Sequence, residues 1–220
     1  MDAASYFSGK YVLESARLLF RVIVKEDVDD YFAYAQSENI TRYLLWSPHP
    51  SRHYTARYIR CILSAYREGT FFDFALIHKE SGRMIGTCGL TRVDAENRTA
   101  EIGYVLSEAF QHQGLGNEAV QTILAFVFSE LGFHRAEARF MKGNTASLRV
   151  MEKNGMHLEG YLTDALFVKG EYRTIGVCAI IKDEYLKKTP DAHSPCRLAQ
   201  PIDYPGGKSL PKGSFLKLFV

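Results

Sequence analysis

Residues 100–120 read AEIGYVLSEAFQHQGLGNEAV, and the rest of the chain is best understood outward from them. Ala100–Leu106 has the apolar, β-branched and aromatic makeup of a strand. After a short turn, Gln111-His112-Gln113-Gly114-Leu115-Gly116 opens a helix in which Val120, Ile123, Leu124, Val127, Phe128 and Leu131 recur at helical spacing. Glycines at such a strand-to-helix turn let the backbone approach a ligand closely. The helix head offers unpaired N–H groups and a partial positive charge to phosphate oxygens. The segment lacks the Lys-Ser/Thr ending of a P-loop and the spacing and parallel βαβ setting of a dinucleotide-binding GxGxxG. It therefore reads as a diphosphate cradle, with a tight turn carrying incidental glycines as the plain alternative.

On the N-terminal side, RLLFRVIV (17–24) predicts a strand. KEDVDDYFAYAQ follows, with Val28, Tyr31, Phe32 and Ala35 on one helical face, and a second helix with Tyr58, Ile59, Ile62, Leu63 and Tyr66 stops at Gly69. Asp73–His78 and Met84–Arg92, joined by KESGR, make a hairpin that Ala100–Leu106 extends to a meander. On the C-terminal side come a strand at Arg135–Met141, a helix at Ala146–Lys153 and strands at His157–Leu162 and Tyr172–Ile181. The predicted order, β-α-α-β-β-β-α-β-α-β-β, implies an α+β (mixed α/β) domain, a mostly antiparallel twisted sheet of about seven strands with helices on both faces. Beyond Asp183 periodicity gives way to prolines and glycines. The predicted division is an extension at 1–13, a catalytic domain at 14–185 and a tail at 186–220, whose apolar SFLKLFV end is expected to dock on the body or on a neighbour.

Bulk properties exclude several classes. A net charge of +2, from 27 basic and 25 acidic residues without blocks, advertises neither nucleic acid nor an anionic membrane. Four scattered cysteines with no CxxC pair disfavour a zinc site and a disulfide framework, so no metal is expected. No apolar run reaches the roughly 18 residues of a membrane helix and the first residues lack a signal-peptide pattern, so the expected location is cytoplasmic.

ESARLLFR, RMIGTCGL, AEIGYVL, FQHQGLGNEAV and NTASLRVMEKNGMHLEGYL together resemble, in the same order, the GNAT superfamily of N-acetyltransferases, in the Rim-type branch that includes ribosomal-protein N-terminal acetyltransferases. The similarity spans roughly residues 14–185. It implies that acetyl-CoA is the acyl donor, its diphosphate held by backbone N–H groups from about Gln113 through Gly114, Leu115 and Gly116 to Asn117, with Gln111 and His112 also at the cofactor, its pantetheine arm paired with Tyr104, Val105 and Leu106 and touched by Asn144 and Ser147. It also implies a β-bulge in the Ala100–Leu106 strand, near the thioester. Glu101 matches the position at which some relatives keep a general base; its plain alternative is a solvated strand end. The wider superfamily places a proton-donating Tyr where this chain has Met151, and a thioether cannot donate. Ser147 is then the candidate to stabilise the leaving thiolate, or else part of a helix start that Asn144 caps.

On the acceptor side the resemblance points to WSPHPS, with Trp46 and His49, and to Tyr161 and Tyr172 on late strands, each also compatible with ordinary packing. The expected acceptor is a small-molecule amine or a protein N-terminus, and the expected assembly a monomer or homodimer. A non-catalytic acetyl-CoA sensor would keep the cradle but need neither Glu101 nor Ser147.

Overall fold

The computed structural model describes residues 12–189. The predicted 1–13 extension and the 186–220 tail, with its docking apolar end, lie almost wholly outside the described residues. The strands are β1 (Leu13–Glu14), β2 (Leu18–Arg21), β3 (Phe72–His78), β4 (Met84–Asp94), β5 (Thr99–Leu106), β6 (Arg135–Met141), β7 (His157–Val168) and β8 (Glu171–Ile181). The helices are α1 (Val28–Ala35), α2 (Glu38–Thr41), α3 (Arg52–Glu68), α4 (Leu115–Ala125), α5 (Thr145–Lys153) and α6 (Lys182–Lys188). The strands form one eight-stranded sheet in the order β1-β2-β3-β4-β5-β6-β8-β7. It is antiparallel except where β5 meets β6. The mixed sheet is thus as predicted, with the two-residue β1 added at its edge.

Alternation along the strands assigns the faces. On β3, Phe74 meets Phe126 at 6.1 Å between ring centroids, and on β4 the Cys88 thiol lies 3.8 Å from the Ala119 carbonyl, so α4 covers this face. Asp73 points to the opposite face, where the phenols of Tyr31 and Tyr34 on α1 and of Tyr58 and Tyr66 on α3 feel its charge. Between the layers sit Phe20, Phe74, Phe126, Phe128, Ile59 and Ile62, each fully buried. α4 does not run straight to Leu131: Phe126–Glu130 form a π turn closed by Leu131 N–H to the Phe126 carbonyl at 3.0 Å. The widened turn buries Phe126, Val127 and Phe128 in succession, more than the stripe of a 3.6-residue helix would cover. The final helix, α6, crosses residue 185 and packs Tyr185 on Phe128 at 4.9 Å.

The parallel pairing of β5 with β6 has the greatest consequence for the site. It lasts only from Thr99↔Arg135 to Ile102↔Ala138, although β5 runs on to Leu106 against β4 and β6 to Met141 against β8. From Gly103 onward the two strands are no longer paired with each other.

Candidate active site

The free edge of β5, Gly103–Leu106, leads directly to the turn that starts α4. Gln111 Nε2 donates to the Leu106 carbonyl at 3.0 Å and Gln113 Nε2 to the Ala109 carbonyl at 2.9 Å, which folds the turn on itself. His112 and Gly114 both adopt positive φ, 60° and 80°, so the chain reverses sharply before the helix. The first intrahelical bond is Glu118 N–H to the Gly114 carbonyl at 3.0 Å, leaving the amides of Leu115, Gly116 and Asn117 at the helix head. A methyl group built on Gly116 meets nothing within 4 Å. Leu115 is buried, so only its main chain is available to a ligand.

Glu118 fixes this turn to the start of the sheet. Its carboxylate accepts from Ser15 Oγ, Arg17 N–H and Arg17 Nε, each at 2.7 Å, and Arg17 Nη1 donates to the Gln113 carbonyl at 2.9 Å. Burial works against the Glu118 charge, but hydrogen bonds from Ser15 and Arg17 outweigh it and hold the carboxyl below its usual pKa.

On the α4 face of β5, the Tyr104 hydroxyl lies 2.9 Å from Ser147 Oγ and 3.1 Å from the Ser147 carbonyl oxygen. Asn144 caps α5 by accepting from the Ser147 amide at 3.2 Å, which leaves the Ser147 hydroxyl for Tyr104. Burial raises the Tyr104 pKa well above that of a free phenol, a shift that its bond to Ser147 only partly offsets, so the phenol keeps its proton.

Glu101 projects from the other face. Its carboxylate accepts from Thr91 Oγ1 at 2.9 Å and pairs with Arg139 Nε at 3.0 Å. The irregularity expected within β5 falls instead on β4, where the register slips between Leu90 and Arg92 and turns Thr91 toward Glu101. The ends of β5 and β6 are met by the segment between α1 and α3. Ser37 Oγ donates to Glu108, the Lys169 ammonium donates to the Thr41 carbonyl, and the Tyr43 hydroxyl lies 3.6 Å from where a Cβ on Gly143 would stand.

A profile of the family described as acetyltransferase (GNAT) domain matches residues 17–157. The chain belongs to the GNAT acetyltransferase family. This GNAT enzyme is 32% identical over 173 residues to the uncharacterized N-acetyltransferase p20 of Bacillus licheniformis, an alignment covering 79% of the chain and 97% of the relative. It is 33% identical over 108 residues to the ribosomal-protein-serine acetyltransferase of Escherichia coli, covering 49% and 60%. The crystal structure of a GNAT-family acetyltransferase from Bacillus anthracis superposes with a TM-score of 0.69 at 25% identity, over 78% of this chain and 99% of that one.

Within this GNAT enzyme the residues expected on the acceptor side are scattered. Trp46 is half-buried and lies 5.2 Å from the His49 ring. His49 itself is buried: it stacks on Tyr31, meets Tyr54 and Tyr58 edge-on, and bonds Thr55 Oγ1 at 2.9 Å through Nδ1, while burial lowers its pKa to about 4. Its ring is an uncharged packing element and is not presented to an acceptor. Tyr161 is exposed beside Phe140 and under the Lys142 ammonium, and Tyr172 pairs with Phe167 far out on the β7–β8 hairpin. The Tyr104 phenol and the Asp73 carboxyl escaped sequence reasoning. Tyr104 carried weight only through its backbone, and Asp73 reads in sequence as an ordinary polar start to a strand.

Proposed function

We propose that this enzyme transfers the acetyl group of acetyl-CoA directly to a primary amine, either a protein N-terminus or a small-molecule amine. The observation that carries the reading is the free β5 edge from Gly103 to Leu106 ending at the helix head of Gly114–Asn117, so that main-chain groups for an amide-bearing arm adjoin main-chain groups for a diphosphate. The open space at Gly116 fits that ligand, because close approach of phosphate oxygens needs a residue without a side chain. Acetyl-CoA would supply the activated acetyl group. Asn144, by capping α5, positions Ser147 beside β5, and the Ser147 hydroxyl donates a hydrogen bond to the departing sulfur with the protonated Tyr104 behind it. A main-chain N–H near Val105 stabilises charge on the acyl oxygen.

The two faces of β5 divide the work. Tyr104 and Ser147 serve the leaving group on the α4 face, and the acceptor approaches from the face of Glu101, past Trp46 and the segment joining α1 to α3. The family relation to a ribosomal-protein acetyltransferase supports a peptide amine among the acceptors. The test is thiol release from acetyl-CoA against a panel of peptides, amino acids and polyamines. Acceptor-dependent release is expected; tight acetyl-CoA binding with no acceptor-dependent release across the panel would favour a sensor instead.

A further inference from the structure

Two side-chain atoms on the face covered by α1 and α3 are buried outside any well-formed hydrogen bond: Asp73 Oδ1, and Tyr34 Oη, which has only the Tyr31 hydroxyl for a polar neighbour of its own helix. Buried polar atoms are ordinarily satisfied, and exceptions call for an explanation. Asp73 on β3 is in register with Gly89 on β4, and Gly89 with Gly103 on β5. The carboxyl leans across β4, since a Cβ placed on Gly89 would stand 2.8 Å from Asp73 Oδ1. That puts it about one strand spacing, ~4.8 Å, from β5 at the point where the β5 edge becomes free. Two glycines in a row keep this path low, and the Thr91 methyl, 2.6 Å from the position of a Gly103 Cβ, marks its far end.

The groups facing Asp73 are the phenols of Tyr31 and Tyr34 on α1 and of Tyr58 and Tyr66 on α3, together with the Thr87 hydroxyl on β4, while the Cys88 thiol, on the α4 face, feels its charge through the sheet. Every phenol in that set is raised by burial and stays protonated, as does the thiol. Beyond them lie two satisfied ion pairs, Arg21–Asp27 and Glu101–Arg139. No cation among the described groups neutralises Asp73. Burial raises its pKa to about 7, against the pull of Thr87 and the Phe74 amide. Glu101 differs in having both oxygens occupied, one by Thr91 and the other by Arg139. Two carboxyls in contrasting surroundings on one face divide naturally into a structural ion-pair member, Glu101, and a proton acceptor, Asp73.

We propose that Asp73, with the Tyr34 hydroxyl beside it, receives the ammonium group of the acceptor and takes its proton. The inference rests on the acetyltransferase reading above. One ammonium proton passes to the Asp73 carboxylate and on to solvent, leaving a neutral amine. The nitrogen lone pair then forms the N–C bond as the C–S bond breaks, and the second proton lost from nitrogen balances the one gained by sulfur on the Ser147 side.

The test compares full-length wild type and Asp73→Asn in single-turnover transfer across pH 5–9, with two acceptors: an alkyl amine from the panel, and hydroxylamine, which is already neutral at pH 7, its enzyme-free rate subtracted. We expect unchanged acetyl-CoA binding, a loss of about 100- to 10,000-fold with the alkyl amine, disappearance of the inflection near pH 7, and an unchanged hydroxylamine rate. An unchanged alkyl-amine profile, or equal loss with both acceptors, would overturn the proposal while leaving the acetyltransferase reading intact. Wild type inactive with both acceptors would remove both. Should Asp73→Asn not fold, Tyr34→Phe serves: a raised KM for the alkyl amine at unchanged acetyl-CoA affinity supports the proposal, and an unchanged KM refutes it.

Discussion

At the scale of single residues, the hydroxyl pair of Tyr104 and Ser147 makes the sharpest expectation. Ser147→Ala should lower the single-turnover rate by about 10- to 1000-fold with acetyl-CoA affinity nearly unchanged, since the hydroxyl acts mainly as charge builds on sulfur. Tyr104→Phe should lower the rate less, because Ser147 keeps its own proton. Equal rates in wild type and both variants would assign the pair to packing alone. Glu101→Gln weakens an ion pair with Arg139 but removes no unpaired base, so the pH–rate profile should keep its shape. The Asn144 cap was legible in the sequence because a polar residue before a helical face has few other jobs, whereas Ser147 was singled out only through the family resemblance. The Tyr104 phenol and the Asp73 carboxyl were not legible, because their surroundings depend on which residue lies across the sheet. That information resides in register, which no single segment displays.

Among the elements, the turn into α4 separates two glycine roles. Gly114 holds a left-handed conformation with Arg17 Nη2 3.5 Å from a would-be Cβ, so Gly114→Asp mixes backbone strain with a new ion pair. Gly116→Leu is the cleaner variant. It should fold with undiminished or slightly raised stability, since glycine costs a helix up to ~1 kcal/mol, yet lose the melting-temperature rise that acetyl-CoA confers. A full rise would place the diphosphate elsewhere. Glu118 fastens the same turn to the link between β1 and β2, and Glu118→Ala should cost ~1–3 kcal/mol by denaturant titration. Its depressed folded pKa means that this stabilisation is present above the unfolded value of 4.5 and fades as pH falls below it. The strand-turn-helix was legible from its glycines and apolar spacing. The π turn at Phe126–Glu130 was not, because it ends the helix and no later turn follows in which the shifted phase would show. β7 continues to Val168 rather than stopping at Leu162, and the register against β8 breaks between Leu162 and Leu166, which interrupts the alternation there.

For the whole molecule, two buried groups set opposing pH dependences. His49 falls from 6.5 in the unfolded chain to about 4 when folded, so the unfolded state binds more protons between those values and stability rises with pH there. Asp73 rises from 3.8 to about 7, so the folded state binds more protons and stability falls with pH across nearly the same window. The two contributions largely cancel in wild type between about pH 4 and 6.5. Asp73→Asn should unmask a stability that climbs with pH, and His49→Phe one that declines, by urea titration at pH 4.5, 5.5 and 6.5. Parallel curves for all three proteins would contradict both assignments. The brief β5–β6 pairing has a further meaning for how such a chain can change over time. In the proposed reading the donor is gripped by peptide groups, which are indifferent to most side-chain replacement, so drift can rewrite Trp46 and its neighbours without loosening it. New acceptor preferences are therefore open to a lineage, or to directed selection, by substitution in the segment joining α1 to α3 alone.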